Sequence, residues 1–192
     1  MIIKVCGMRE PQNIREVAAL AINWIGFIFY ERSKRFVERC PTEQQATDSE
    51  QLSPKKVGVF VNATIESMME KASTYKLDYL QLHGNESPED CHTLQKRGYS
   101  LIKAFPIATK EDFEKTREYE GRVDYFLFDT RCEGYGGSGK RFDWSILTEY
   151  KGETPFLLSG GIRPENAEAI RNFRHPRFAG ICLLYTSPTP RD

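Results

Sequence analysis

Residues 125–144 read YFLFDTRCEGYGGSGKRFDW, and the fold turns on this stretch. Tyr125, Phe126, Leu127 and Phe128 form an unbroken bulky apolar run, the pattern of a strand buried on both faces, and the run stops at Asp129. A carboxylate therefore stands at the C-terminal tip of a strand. Behind it come Gly134, Gly136, Gly137 and Gly139 with Ser138 and Lys140 among them, and Phe142-Asp143-Trp144 then opens a helix-like segment. Such a loop either makes ordinary turns or exposes backbone N–H groups that close on an anion. The spacing from Gly134 to Gly139-Lys140 nearly spells a nucleotide P-loop, but Arg141 occupies the position where that loop needs a Ser or Thr hydroxyl for magnesium, which argues against an NTPase.

Outward from this stretch the same unit recurs: a short β-branched or aromatic run, a loop, then an amphipathic segment. Apolar runs begin near Ile2, Trp24, Val57, Tyr79, Leu101, Tyr125, Pro155 and Phe178, which predicts eight strands spaced widely enough for a helix between each pair. Pro11–Ala21, Ile65–Ser73, Pro88–Lys96, Lys110–Tyr119 and Pro164–Phe173 have helical apolar spacing, several with proline in the first turn. The segment from Arg39 to Lys55 is polar and proline-flanked, and predicts at most a short helix.

Eight βα repeats can close into a barrel or lie open as a doubly wound sheet. An open dinucleotide-binding sheet carries its glycine fingerprint after the first strand, and here that loop is Cys6-Gly7-Met8. The glycine clusters instead follow strands six and seven, where barrels place phosphate sites. The expected fold is thus α/β, a (βα)8 TIM barrel.

Size and charge narrow the function. The 192 residues suit one domain, and Lys plus Arg equals Asp plus Glu at 27 each, so no general basic field draws nucleic acid or a membrane surface. Five scattered cysteines without a C-x-x-C pair, and only three histidines, argue against structural zinc. The odd cysteine count, no signal peptide and no long apolar run together point to a cytoplasmic protein in solution.

In a barrel the C-terminal ends of all strands face one mouth. Those positions are Cys6, Tyr30 with Ser33-Lys34-Arg35, Asn62, Gln81 with His83, Lys103 with Phe105, Asp129, and Ser159-Gly160-Gly161. The set suits an anionic, phosphorylated small molecule. Cys6 reads either as a small buried hydrophobe or as a thiolate base. Asp129 reads as a loop cap or an acid, and His83 as a turn residue or a pocket residue. Arg35 is either a surface charge or a bidentate partner for a carboxylate.

The motifs KVCGMREPQNI, GFIFYERSKRFV, VGVFVN, LQLHGNES, IKAF, FLFDT, GGSGKRFDW and LLSGGIRPENA occur in the order of, and together resemble, the phosphoribosylanthranilate isomerases of tryptophan biosynthesis, from Ile2 to about Ile181. The resemblance implies an Amadori rearrangement of N-(5-phosphoribosyl)anthranilate without metal or cofactor. By it Cys6 is the general base and Asp129 the general acid, Arg35 grips the anthranilate carboxylate, and Gln81 and His83 line the pocket. Ser159, Gly160 and Gly161 hold the phosphate, while Gly137, Ser138 and Gly139 belong to a loop folding over the substrate. The partner implied is a small phosphorylated substrate, with neither nucleic acid nor membrane, for a monomer or homodimer.

The rival readings are a neighbouring phosphate-binding barrel, which needs a catalytic lysine or paired aspartates at strand ends, and a non-catalytic remnant that binds a phosphorylated ligand. The chain departs from the family at its end. Cys182 stands where the family has an acidic residue, and CLLYTSPTPRD replaces a phosphate loop and a last helix. The expectation is therefore one barrel domain over residues 1–181, with a non-family tail over 182–192 from truncation or a chimeric join. That barrel would be incomplete at the C-terminus, its eighth helix missing, weakly active or inactive, with apolar surface of strands eight and one left open.

Overall fold

A computed structural model of the chain describes residues 1–38, 54–130 and 144–184. Among these, eight parallel strands pair in sequence order into a closed barrel: β1 (Ile2–Cys6), β2 (Trp24–Ile28), β3 (Lys55–Phe60), β4 (Tyr79–Leu82), β5 (Leu101–Ile107), β6 (Tyr125–Thr130), β7 (Phe156–Ser159) and β8 (Phe178–Leu184). Every predicted apolar run became a strand.

The expectation of a barrel left incomplete is overturned at the seam between β8 and β1. Five residue pairs close it, from Ile2 beside Gly180 to Cys6 beside Leu184, and β8 pairs with β7 on its other edge. No strand edge is left open there; Ile181 and Cys182 are buried, while Leu184 at the end of β8 stays exposed. Gly180 is part of the reason, because a Cβ on it would lie about on top of the Ile2 carbonyl oxygen, at 2.0 Å. The missing eighth helix concerns residues 185–192, which lie outside the described residues, as do the glycine loop with Gly137, Ser138 and Gly139 and most of the polar segment after Arg39.

The helices form where local signals coincide. In α2 (Ile65–Tyr75) the Thr64 side chain caps by accepting from the Ser67 N–H, and α3 (Pro88–Lys96) opens on a reciprocal Ser87–Asp90 capping box with proline in its first turn. α1 (Pro11–Ala18) is shorter than its apolar spacing suggested, and α4 (Ala167–Asn172) follows a 3-10 turn over Pro164–Asn166. Lys110–Tyr119 is a 3-10 helix instead of an α-helix. Its buried residues, Phe113 and Thr116, are three apart, which suits three residues per turn, and the Thr116 hydroxyl donates to the Phe113 carbonyl at 2.7 Å. No described helix is long and apolar enough to cross a membrane.

Strand periodicity sorts side chains into two cores. Outside the sheet, the Tyr150 ring packs edge to face against Phe126, Phe128 and Phe156, while Phe128 and Phe156 meet at a tilt with centroids 4.8 Å apart. Inside lie Trp24, Val57, Val59, Ile102, Ala104, Leu127, Leu157 and Cys182. At the N-terminal end Trp24, Tyr79 and Tyr125 close the bore, with Trp24 4.6 and 5.1 Å from the two tyrosine rings. The barrel is a packed rod with one usable end.

Candidate active site

Residues at alternate positions of a strand share a face, so the interior core identifies what reaches the mouth. On β1 the inward series is Ile2, Lys4, Cys6. On β4 it runs Tyr79, Gln81 and then His83, just past the strand. On β6 it is Tyr125, Leu127, Asp129. Cys6, His83 and Asp129 are therefore the last inward side chains of three strands, and His83 Nε2 lies 3.7 Å from Asp129 Oδ2 with both side chains partly open to solvent, at 28% and 20%.

Beneath them runs a polar chain through the bore. The Lys4 ammonium, wholly buried, donates to Gln81 Oε1 at 2.5 Å and to Cys182 Sγ at 3.6 Å. The Gln81 amide nitrogen in turn meets His83 Nδ1 at 2.7 Å. The β1–β8 register sets Lys4 beside Cys182, which is why these partners, 178 residues apart in sequence, touch.

This setting polarises the two inner sulfurs. The Cys6 thiol is lowered to about 5, first by the hydrogen bond from Cys182 and then by the charge and hydrogen bond of Lys4, with His83 adding to them against the cost of burial. Cys182 moves the other way, held protonated by its hydrogen bond to Cys6 and by burial. Burial alone would lower Lys4, but the sulfurs of Cys182 and Cys6 outweigh it and keep the ammonium charged. Cys91, buried in the outer core, is pushed up to about 12 chiefly by burial. Among the described residues Cys6 is thus the activated thiol, while Cys182 and Cys91 are held protonated.

Room for the Cys6 sulfur comes from β2. Gly26 is its register partner, and a Cβ there would sit 2.7 Å from Sγ. Gly7, next in the chain, has φ +84°, a left-handed turn, and its N–H donates to the Gly26 carbonyl at 2.9 Å. A Cβ on Gly7 would be 2.6 Å from Arg35 Cδ, so the arginine stem lies against the turn that follows Cys6. Arg35 itself is half-buried in a loop fastened by Val37 N–H to the Ile28 carbonyl at 2.9 Å and by Arg9 to the Lys34 carbonyl at 3.0 Å.

Behind His83 the loop is tied from outside. Buried Glu86 accepts from the N–H groups of Asn62 and Gly84, and pairs with Lys103 Nζ at 3.2 Å. Lys103 also donates to the Gly84 carbonyl at 2.7 Å. Three residues read as mouth residues are thus corrected: Lys103 and Phe105 occupy outward positions on β5, alternating with the inward Ile102 and Ala104, and Asn62 serves the loop by accepting from the Asn85 N–H at 2.6 Å. With Lys103 turned outward, the strand-end lysine that a neighbouring barrel enzyme would need is not found at this position. On β7, Ser159 lies beside Asp129 in register, and Gly160 and Gly161 follow with φ +93° and +60°.

Lys4, Cys182 and Gly26 were not singled out as site residues from the sequence. Lys4 carried a signal, a lone cation two residues before a candidate base in an apolar strand, and Gly26 another, a glycine inside a strand where some group approaches closely. Cys182 stood out only as a departure from the family's acidic residue, and its contact with Lys4 is set by a long-range register.

Comparison with known proteins bears on the same residues. The family model of N-(5'phosphoribosyl)anthranilate (PRA) isomerase matches residues 3–182. The N-(5'-phosphoribosyl)anthranilate isomerase of Parabacteroides distasonis is 99% identical over 183 residues, 95% of this chain and 83% of that protein; the one from Phocaeicola vulgatus is 47% identical over 197 residues, covering 100% and 92%. Phosphoribosyl anthranilate isomerase from Thermotoga maritima superposes with a TM-score of 0.74 at 31% identity, covering 96% of this chain and 88% of that one. A second isomerase structure, with reduced 1-(o-carboxyphenylamino)-1-deoxyribulose 5-phosphate bound, superposes with a TM-score of 0.74 at 27% identity, covering 96% and 87%. The expected truncated or chimeric end from Cys182 is corrected by these matches together with the closed barrel, since the family model runs through residue 182 and β8 completes the sheet. A (βα)8 barrel with this match along nearly all of its length belongs to the N-(5'-phosphoribosyl)anthranilate isomerase family and catalyses that family's isomerisation in tryptophan biosynthesis.

Proposed function

We propose that Cys6 is the general base and Asp129 the general acid with which this chain converts N-(5-phosphoribosyl)anthranilate to 1-(2-carboxyphenylamino)-1-deoxyribulose 5-phosphate. The observation that carries the assignment is the mouth shared by these two groups: Cys6, His83 and Asp129 are the last inward side chains of three strands, and His83 Nε2 stands 3.7 Å from Asp129 Oδ2.

Each step uses one of the two. Asp129 gives a proton to the ribose ring oxygen as the C1′–O bond breaks, and the nitrogen lone pair forms the C1′=N bond of an iminium. The Cys6 thiolate then takes the C2′ proton, and the C–H electron pair makes C1′=C2′ while the iminium electrons return to nitrogen. The enolamine so formed tautomerises to the C2′ ketone with a proton added at C1′. The substrate's own nitrogen is the electron sink.

Binding assignments follow the charges. Arg35, beside the turn after Cys6, suits the anthranilate carboxylate as a bidentate partner. The left-handed pair Gly160-Gly161 after Ser159 gives a loop whose backbone can approach a phosphate closely. The substrate is then a small phosphorylated molecule, as is the ligand of the related isomerase structure.

The test is steady-state turnover of Cys6→Ala and Asp129→Asn. A proton-transfer group contributes ~10² to 10⁴ in rate, so each variant should lose that much in kcat while KM changes little. Wild-type kcat in either variant would remove that residue from the chemistry.

A further inference from the structure

Lysine offers three donors and no acceptor, so whatever oxygen or sulfur faces a buried ammonium must accept from it. Lys4 is wholly buried, and Gln81, at 1% exposure, turns its Oε1 to that ammonium at 2.5 Å. An amide whose oxygen is committed on one side must present its NH2 on the other. That NH2 lies 2.7 Å from His83 Nδ1, which must therefore be the acceptor. A neutral imidazole with an acceptor at Nδ1 carries its proton at Nε2, the nitrogen facing Asp129 Oδ2 at 3.7 Å.

We propose that Lys4 is a positioning residue for the isomerisation: acting through Gln81, it fixes the tautomer of His83 so that an N–H, and not a lone pair, faces Asp129. The inference rests on Asp129 being the acid. When Asp129 has given its proton to the ring oxygen, the carboxylate left behind faces the positive end of the His83 Nε2–H dipole, which stabilises the product side of the step. The opposite tautomer would set a lone pair against that carboxylate. The same ammonium also faces the Cys182 sulfur at 3.6 Å. None of the groups in this chain is exchanged or consumed, and the geometry requires only that Lys4 stay charged.

The experiment reads the tautomer directly. In protein labelled with 15N-histidine, long-range 1H–15N spectra at pH 8 separate protonated from unprotonated ring nitrogens, and the His83 signals are those lost in His83→Asn. The unsubstituted protein should show Nδ1 unprotonated and Nε2–H. In Lys4→Met the amide is free to turn, so the spectrum should move to mixed tautomers, and kcat should fall at least about tenfold, a part of what a proton-transfer group supplies, with KM within about twofold. Gln81→Glu keeps the size and the lysine partner, and serves also if Lys4→Met does not fold. Its carboxylate can only accept, so Nδ1 should become protonated. Protonated Nδ1 in the unsubstituted protein, or an unmoved His83 spectrum in Gln81→Glu or folded Lys4→Met, overturns the inference. If these spectra behave as expected while Asp129→Asn keeps full rate, the acid assignment has failed and with it the use given to the tautomer. If Asp129→Asn is inactive but the spectra do not move, only the inference about Lys4 fails.

Discussion

At the scale of single residues the decisive quantity is the state of one sulfur. A base works only when deprotonated, so activity is lost as pH falls through the pKa of Cys6. With that value lowered to about 5, the rising limb of kcat/KM should lie well below the ~8.5 of a free thiol. The hydrogen bond from Cys182 is the first cause of the lowering, so Cys182→Ala should carry the limb upward in pH, as a pH–rate profile would record. Gly26→Ala should reduce kcat with less effect on stability than on rate, since its methyl would meet Sγ at 2.7 Å and displace the sulfur. Residue parity also explains what was misread in the sequence. Lys103 lies inside β5, one position off the inward pair Ile102 and Ala104, so a list of strand tips read from a short apolar run includes it where the strand's full length and its alternation exclude it. Cys6 and Asp129 were legible because each closes an apolar run and parity happens to favour both.

At the scale of elements, the loop between β4 and α3 shows how His83 is held. Glu86 knots the Asn62 and Gly84 backbones and is balanced by buried Lys103, so its loss leaves an unpaired buried ammonium behind the site. Breaking one side of a buried pair costs about 3–5 kcal/mol, and Glu86→Ala should show a loss of that size in urea unfolding. This role was not readable in the sequence HGNES, because the Glu86 partners Asn62 and Lys103 come from another loop and from β5. The apolar runs, by contrast, announced all eight strands, because parallel strands buried on both faces are written as continuous hydrophobic stretches. The 3-10 form of Lys110–Tyr119 escaped for want of any composition signal distinguishing it from an α-helix.

At the scale of the whole molecule, closure was the point on which sequence reading erred. The family-unlike end suggested an unfinished barrel, yet a sheet closes through strand register alone, and Phe178–Leu184 suffices to join β7 to β1. Nothing in local sequence expresses a contact between residues 2 and 180. A closed barrel with one mouth should behave as a single ligand-linked unit. Reduced 1-(o-carboxyphenylamino)-1-deoxyribulose 5-phosphate at 100 times its Kd should add about 2.7 kcal/mol to unfolding, read as a rise in Tm, and Arg35→Ala should lose much of that rise.

The division of labour between acid and base is tested most directly by the isotope effect of C2′-deuterated substrate on kcat. If Cys6 removes the C2′ proton and Asp129 opens the ring, Cys6→Ser makes proton removal limiting and enlarges the effect. Asp129→Asn makes ring opening limiting and suppresses it. The reverse pattern, or equal effects in both variants, would contradict the assignment.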